Sequence, residues 1–529
     1  MKIITAEAAA SLICSGWTVT TGGFGHCGAP ESLLRAVEKR FLKQGSPTEL
    51  TLIFASGAGD RGENGVGRLA HKGLISKIVG GFWSLAPRIG ELALKEEIEA
   101  HNWPQGVVSH FFRAVASGKP GVISDVGMGT FIDPSQEGGC LNKRTVSPLV
   151  EHISIQGKTS LLFRAMPIHC ALLRGSRADE FGNISMEYEA NIQDILAQAQ
   201  AVRNSGGIVI VQVLEISKTG SLPLASVRLP GFLVDYVVVA EPTDHNQTYG
   251  EAFNPKYSGQ WSGYFHHEQR LIPTEGSKRI IARRALLHLL EKSQRQQRSR
   301  PLVVNLGIGT PEYVAIEAKN SGTLDRNAFT LTVESGAVGG FPAGGLSFGA
   351  TEYPDALLTQ GEQFDHYDGG GIDLAFLGFG QIDARGRINV ASLGGRLNGV
   401  GGFINISQAA KEVVFCGSFT AAGLKVSADS LNQVQIKTEG SVRKVVETVD
   451  RICFDPAGRA RCVNPLVITE RAVFQLSSTG LVLLEVAPGI DIDKDIKSQS
   501  DVHIEVSDQL KPMPKEVFKP GPLVQSYGS

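Results

Sequence analysis

The chain lacks any apolar run approaching the roughly 18 residues that a membrane-spanning helix requires, and none of its seven cysteines forms a CxxC pair. The first absence removes the membrane as an expected partner. Cys14, Cys27, Cys140, Cys170, Cys416, Cys453 and Cys462 are odd in number and widely scattered, which argues against a disulfide framework and for a reduced, cytoplasmic compartment. An excess of charge is missing too. A net charge of −2 provides no attraction to nucleic acid or to an anionic lipid surface. His266-His267 and "DHYDGGGID" (Asp365 to Asp373) carry metal-ligand types without a recognised spacing, so no metal is expected. Ser56 and Ser335 lack a GxSxG elbow, which disfavours a serine hydrolase.

What is present is length and glycine. A chain of 529 residues, 42% hydrophobic and 20% charged, is too long for one ordinary core and implies two or more globular domains. The opening "MKIITAEAAASLICSGWTV" has the apolar look of a leader, but Glu7 interrupts it and it has a repeat partner inside the chain, so it reads as part of the folded protein.

That repeat organises the whole sequence. "LTLIFASGAGD" (Leu50 to Asp60) aligns with "FTLTVESGAVGG" (Phe329 to Gly340) at a constant offset of 279 (335 − 56), matching Thr51, Leu52, Ser56, Gly57 and Ala58 to Thr330, Leu331, Ser335, Gly336 and Ala337. Ala55 matches Glu334. The stretch from Lys2 to Gly25 resembles "RIIARRALLHLL" followed by "PLVVNLGIGTPEYV", each reading as helix, strand and glycine loop. Later in each half a polar turn, "GSRADEFGNISME" (Gly175 to Glu187) or "GFGQIDARGRINV" (Gly378 to Val390), precedes an apolar strand. Strands alternating with helical segments imply an α/β protein with an open, largely parallel sheet in each half. The expected divisions are 1–255, a linker over 256–278, 279–510 and an irregular Pro/Gly-rich tail over 511–529. "EKSQRQQRSRP" (Glu291 to Pro301) reads as a solvated loop.

Two candidate sites emerge. "GGFGHCG" contains GxGxxG (Gly23, Gly25, Gly28) after a strand, a possible dinucleotide loop. Such a site also needs an acidic residue at the end of the second strand. The first half has Ala55 there, and the second half, which has Glu334, lacks the third glycine in "GIGTPE". Nicotinamide binding is therefore disfavoured. Glu334 alone could be a helix-terminal or surface charge. Its place at the carboxyl end of a predicted strand, the glycines of "SGAVGGFPAGG" after it, and its absence from the first copy together mark it as functional.

With Glu334 in "VESGAVGG", the "GGFGHCGAP" loop, "PQG" (Pro104 to Gly106), "GVGGF" (Gly399 to Phe403), "VGMGTFIDP" and "EVAPGIDIDKDI" in order, the chain resembles the family I coenzyme A transferases, in the form that carries both subunit types as consecutive halves. The resemblance implies two homologous CoA-transferase-type α/β domains with an active site between the halves. It implies a glutamate nucleophile at Glu334 and oxyanion donors at Gln105 and the pair Gly401 and Gly402. "PQG" by itself also suits an ordinary turn. Coenzyme A, as co-substrate and not a tightly bound cofactor, is implied at Asn305, Gly307, Ile308, Gly309, Thr310, Gly378, Gly380 and Gly399, with Lys425 as a phosphate partner. The first half would supply Gln105 and much of the acyl pocket.

Val333-Glu334-Ser335-Gly336 lacks the asparagine that many 3-oxoacid members carry after the glutamate and looks more like acetate and propionate members. Acetate or another short-chain acid, propionate or butyrate, is the expected acid, with acetoacetate open, and a homodimer or homotetramer is implied. The competing functions are an acyl-CoA hydrolase on the same scaffold and a non-catalytic sensor of CoA or a sugar phosphate.

Overall fold

The computed structural model describes residues 1–260, 274–295, 300–428, 432–519 and 521–523. His266-His267, residues 261–273 of the expected linker, 296–299 of the polar stretch and 524–529 of the tail lie outside the described residues. Two compact units form, and they interleave along the chain. One comprises Met1–Gly263, Glu334–Asp368 and Gly395–Asn405; the other comprises Tyr264–Val333, Gly369–Gly394 and Ile406–Ser529.

The first unit is built on an eight-stranded sheet in the order Lys2–Ile3, Tyr236–Val239, Ile208–Val213, Cys170–Arg174, Thr18–Thr21, Leu50–Ser56, Ile75–Phe82, Glu99–Asn102. Every neighbouring pair is parallel. A parallel sheet is reached only through crossovers and is covered on both faces, so central strands such as "TVTT" are buried at all four positions. Helices Glu31–Gln44, Pro87–Leu94, Gln105–Ala116 and Ile195–Asn204 provide crossovers. The first of these buries Leu33, Leu34, Ala36 and Val37 and stops at Gly45, whose left-handed φ of 67° ends the helix.

The strands of the second unit run in the order Phe329–Thr332, Leu302–Leu306, Leu374–Gly378, Val413–Cys416, Leu466–Ile468, Ala472–Ser477, Gly480–Val486, Glu505–Pro512. They are parallel as far as Leu466–Ile468; Ala472–Ser477 and Gly480–Val486 then follow antiparallel, and Glu505–Pro512 closes the row parallel to Gly480–Val486. Helix Gly276–Arg295 lays Ile281, Ala285, Leu286 and Leu289 into one core with Val304, Leu306 and Phe376.

The repeat seen in the sequence is a repeat of topology. Tyr236–Val239, Ile208–Val213, Cys170–Arg174, Thr18–Thr21 and Leu50–Ser56 follow one another across the first sheet as Leu466–Ile468, Val413–Cys416, Leu374–Gly378, Leu302–Leu306 and Phe329–Thr332 do across the second. It extends to single hydrogen bonds. Asp179 Oδ1 accepts the N–H groups of Phe181 and Asn183 at 3.0 and 2.9 Å; Asp383 Oδ1 accepts those of Arg385 and Arg387 at 3.0 Å. Both carboxylates tie down the polar turn that the sequence pattern marks in each half. Among the described residues no helix is long and apolar enough to cross a membrane.

Candidate active site

Strand Phe329–Thr332 ends just before Glu334, which is buried to 8% exposure. The chain beyond it is pinned. Ser335 Oγ donates to the Gly349 carbonyl at 2.9 Å, and the Gly336 carbonyl accepts the Leu358 N–H at 2.8 Å. Gly336 has φ 104°, and a side chain there would collide with the Leu358 carbonyl, so the glycine after the acid serves a backbone turn that other residues cannot make. Residues Glu334–Asp368 belong to the first unit, the one that also contains Gln105.

Gln105 opens helix Gln105–Ala116 after Pro104, so "PQG" is a helix start where the sequence also suited a turn. Its backbone N–H donates to the Gly401 carbonyl at 2.8 Å, and its Nε2 donates to Gln360 Oε1 at 3.0 Å. Both glutamines are almost fully buried. The segment Asn398–Gly401 is fastened to the end of strand Ile75–Phe82: the N–H groups of Trp83 and Ser84 donate to the Asn398 carbonyl, and the Gly401 N–H donates to the Gly81 carbonyl at 3.1 Å. Asn102 completes the clamp. Its Nδ2 donates to the carbonyls of Gly80 and Gly81 at 2.6 and 2.7 Å, and its Oδ1 accepts the Val400 N–H at 3.0 Å. Glu334, Gln105, Gly401 and Gly402 thus share one compact unit although Gln105 lies far from the others in sequence.

The residues matched to coenzyme A divide. In the second unit, Asn305 is buried at the end of strand Leu302–Leu306, and the loop from Gly307 to Thr310 leads into helix Glu312–Asn320. The Gly307 N–H is committed to the Phe376 carbonyl at 2.9 Å. Gly309 has φ 90° with nothing within 4 Å of where a side chain would stand. Gly378, ending the adjacent strand, is the open neighbour of Ile308: a Cβ there would lie 3.8 Å from the Ile308 carbonyl oxygen. Gly380 is buried, its N–H bound to the Asn389 carbonyl. Lys425 is exposed at the start of a hairpin strand, Lys425–Ala428. Gly399 belongs to the first unit, where a side chain would strike the Gly81 carbonyl or Trp83.

The GxGxxG loop is filled by protein. Gly23, Gly25 and Gly28 have φ of 115°, 62° and 72°, but a side chain at each would meet Ala58, Phe348 and Gln193 respectively. Gln193 Oε1 accepts the Gly23 N–H, the bond a pyrophosphate oxygen would make in a dinucleotide site. At the end of the central strand Cys170–Arg174, buried Arg174 pairs with Glu189 at 3.1 Å, and His245 Nε2 lies 3.3 Å from Glu189. Burial alone would raise the Glu189 carboxyl, but Arg174 and His245 hold it at about 2. Asp365 pairs with Arg113 and His110, Asp368 accepts from Asn405, and Asp373 pairs with Lys411, so these acids have structural partners. Among the described residues no group of three His, Cys, Asp or Glu is placed to hold a metal.

Sequence reasoning missed Asn102 and Gln360. Asn102 stands in the same "HNWPQG" stretch as Gln105, a local signal that was available. Gln360 carries no motif and is paired to Gln105 only by the fold.

The family profile described as Coenzyme A transferase matches residues 3–240. A caffeate CoA-transferase of Acetobacterium woodii is 40% identical over 528 residues, which is 98% of this chain and 97% of that protein. The chain belongs to the coenzyme A transferase family. The acetate CoA-transferase YdiF of Escherichia coli K12 is 38% identical to the transferase over 92% of its chain and 89% of YdiF. The crystal structure of the E. coli O157:H7 acyl-CoA transferase YdiF in a thioester complex with CoA matches it with a TM-score of 0.90 at 35% identity, covering 99% of this chain and 97% of that one. The α/β fold with mostly parallel sheets is therefore the fold of a CoA-transferase, and the family uses coenzyme A as a substrate.

Proposed function

We propose that the transferase moves CoA from a short-chain acyl-CoA to a carboxylic acid by ping-pong chemistry at Glu334. The observation that carries this reading is a buried carboxylate at a strand end, in one compact unit with Gln105 and Gly402. The Glu334 carboxylate attacks the acyl-CoA carbonyl, giving an acyl-glutamyl anhydride and CoA thiolate. The thiolate attacks the glutamyl carbonyl, releases the first carboxylate and leaves a glutamyl-CoA thioester, which the acceptor acid then reverses through the same steps. A carboxylate nucleophile conserves the energy of the thioester, which a serine ester would lose.

Each tetrahedral intermediate needs oxyanion donors, each typically worth about 3 kcal/mol. Gln105 Nε2 supplies one. The Gly401 N–H is already bound to Gly81, so the Gly402 N–H is the second. The loop from Gly307 to Thr310 and Gly378 form the coenzyme A side of the reading; the Gly307 and Gly309 N–H groups are taken by the Phe376 carbonyl and the Glu312 carboxylate, so what the bare Gly309 and Gly378 backbone offers pantetheine is close approach. Limited exposure of Glu334 favours transfer over hydrolysis, because water must be kept from the thioester.

Acetate is the proposed acid, with propionate, butyrate and acetoacetate next; the 40% identity to a caffeate CoA-transferase supports aryl-acrylate acids as a second class. Incubation with acetyl-CoA and no acceptor, then borohydride or hydroxylamine trapping and peptide mass spectrometry, tests the mechanism. A modification confined to the Glu334 peptide and absent from Glu334→Gln is the expected result. Turnover without any adduct would remove the covalent mechanism. Initial rates with acetate, propionate, butyrate, acetoacetate and caffeate as acceptors rank the acids.

A further inference from the structure

We propose that Gln360 is a positioning residue that sets which way the amide of Gln105 faces. The proposal rests on the reading of Gln105 as an oxyanion donor. A glutamine amide has a donor end and an acceptor end that exchange on half-rotation. An amide that presents its oxygen to a developing oxyanion opposes the reaction, so a Gln105 free to rotate would spend part of its time in an inhibitory orientation.

The surroundings remove that freedom. Gln105 Nε2 donates one proton to Gln360 Oε1 at 3.0 Å, which leaves the second Nε2 proton for the reacting carbonyl oxygen. With the two side chains 3% and 2% exposed, water does not compete for the bond. The backbone N–H of Gln105 is held by Gly401, so the side chain hangs from a fixed point.

Gln360 is itself held, because it opens helix Gln360–Asp368 and that helix is clamped to helix Gln105–Ala116 along its length. Buried Asp194 accepts the Gly361 N–H at 3.0 Å and the Ser109 hydroxyl at 2.7 Å, bridging the first turns of both helices. Asn405 Oδ1 accepts the Gly106 N–H at 3.2 Å while its Nδ2 donates to Asp368 at 2.9 Å. Further along, Arg113 pairs with Asp365 at 2.7 Å. Gly106 has no side chain because a Cβ there would lie 2.6 Å from Phe364 and Asn405; its smallness is what lets the helices approach. The clamp holds whether or not the glutamines pair, so the pair can be broken without dismantling the helices.

Steady-state kinetics on Gln360→Leu, Gln360→Glu, Gln105→Leu and the double variant Gln105→Leu/Gln360→Leu test this, with thermal midpoints confirming folded protein. Glutamate can only accept, so Gln360→Glu keeps Gln105 in its donating orientation and should retain kcat within about threefold. Gln360→Leu should lower kcat about tenfold with the KM for acyl-CoA nearly unchanged, and should add nothing on top of Gln105→Leu. A merely structural role would move the thermal midpoint and would not be rescued by glutamate. Gln360→Glu as damaging as Gln360→Leu, or a full extra loss in the double variant, overturns the positioning role while Gln105 stands. An unchanged kcat in Gln105→Leu overturns both.

Discussion

The amine of Lys444 lies 3.7 Å over the ring of Phe379, buried to 4% exposure at the carboxyl ends of the second unit's parallel strands. Among the described residues it makes no hydrogen bond. Burial pushes it down to about 7, opposed only by the charge of Glu470, whose carboxylate is already shared by Arg471 Nε at 2.6 Å and the Phe419 N–H at 3.0 Å. Unfolding exposes the amine and restores its ordinary 10.5. Between about pH 7 and 10.5 the unfolded chain therefore binds a proton that the native chain does not, so this group makes stability rise with pH across that window. Denaturant unfolding should show the wild type gaining on Lys444→Met by about 1 kcal/mol per pH unit between pH 7.5 and 9. A difference that stays flat with pH would mean the amine is charged throughout.

The Arg174–Glu189 pair behaves oppositely. Held at about 2 against an ordinary 4.5, the Glu189 carboxylate contributes stability that is complete above about pH 4.5 and is lost as the pH falls toward 2. Arg174→Met leaves a buried carboxylate without its main counter-charge and should cost about 3–5 kcal/mol. Acid unfolding of the variant should begin at higher pH, and replacing both members, as Arg174→Met/Glu189→Gln, should recover part of the loss.

Asp179 and Asp383 hold matching turns in the two halves: each accepts two backbone N–H groups of its turn, Asp179 adds Asn183 Nδ2, and Asp383 adds the Arg387 guanidinium and the Val449 N–H. Truncation of either to alanine leaves partly buried backbone donors unmatched and should cost about 1–2 kcal/mol. Similar losses in the two variants are expected by chemical denaturation. A large loss in one and none in the other would show that the repeated turn is structurally equivalent but not energetically so.

Gly28→Ala places a methyl group against the Gln193 amide at a φ of 72°. Both the collision and the left-handed backbone oppose it, and a loss of about 2 kcal/mol or more is expected. Because Gln193 already fills the loop, titration of wild-type protein with NADH should leave the cofactor's fluorescence unchanged. Saturable enhancement would reopen the dinucleotide reading.

Much of this architecture was legible from local pattern. Buried parallel strands announce themselves as short β-branched runs followed by glycine loops, and an internal repeat doubles the signal; "TLIFASGA" and "TLTVESGA" identify one strand-and-turn unit twice. Glu334 stood out because the matching position holds alanine. These features depend on residues adjacent in sequence, where backbone geometry and side-chain periodicity act directly.

The grouping of Glu334–Asp368 and Gly395–Asn405 with the N-terminal unit was beyond that reach, as was the occupation of the GxGxxG loop by Gln193. The sequence by itself determined the fold class, the repeat, the family and the acid at position 334. Only the tertiary structure decided that Gln360 meets Gln105 from 255 residues away and that the Gly401 amide is already spent on Gly81. Such pairings are set by how helices and strand ends pack once the sheet has formed, and a buried amide has no sequence period that names its partner.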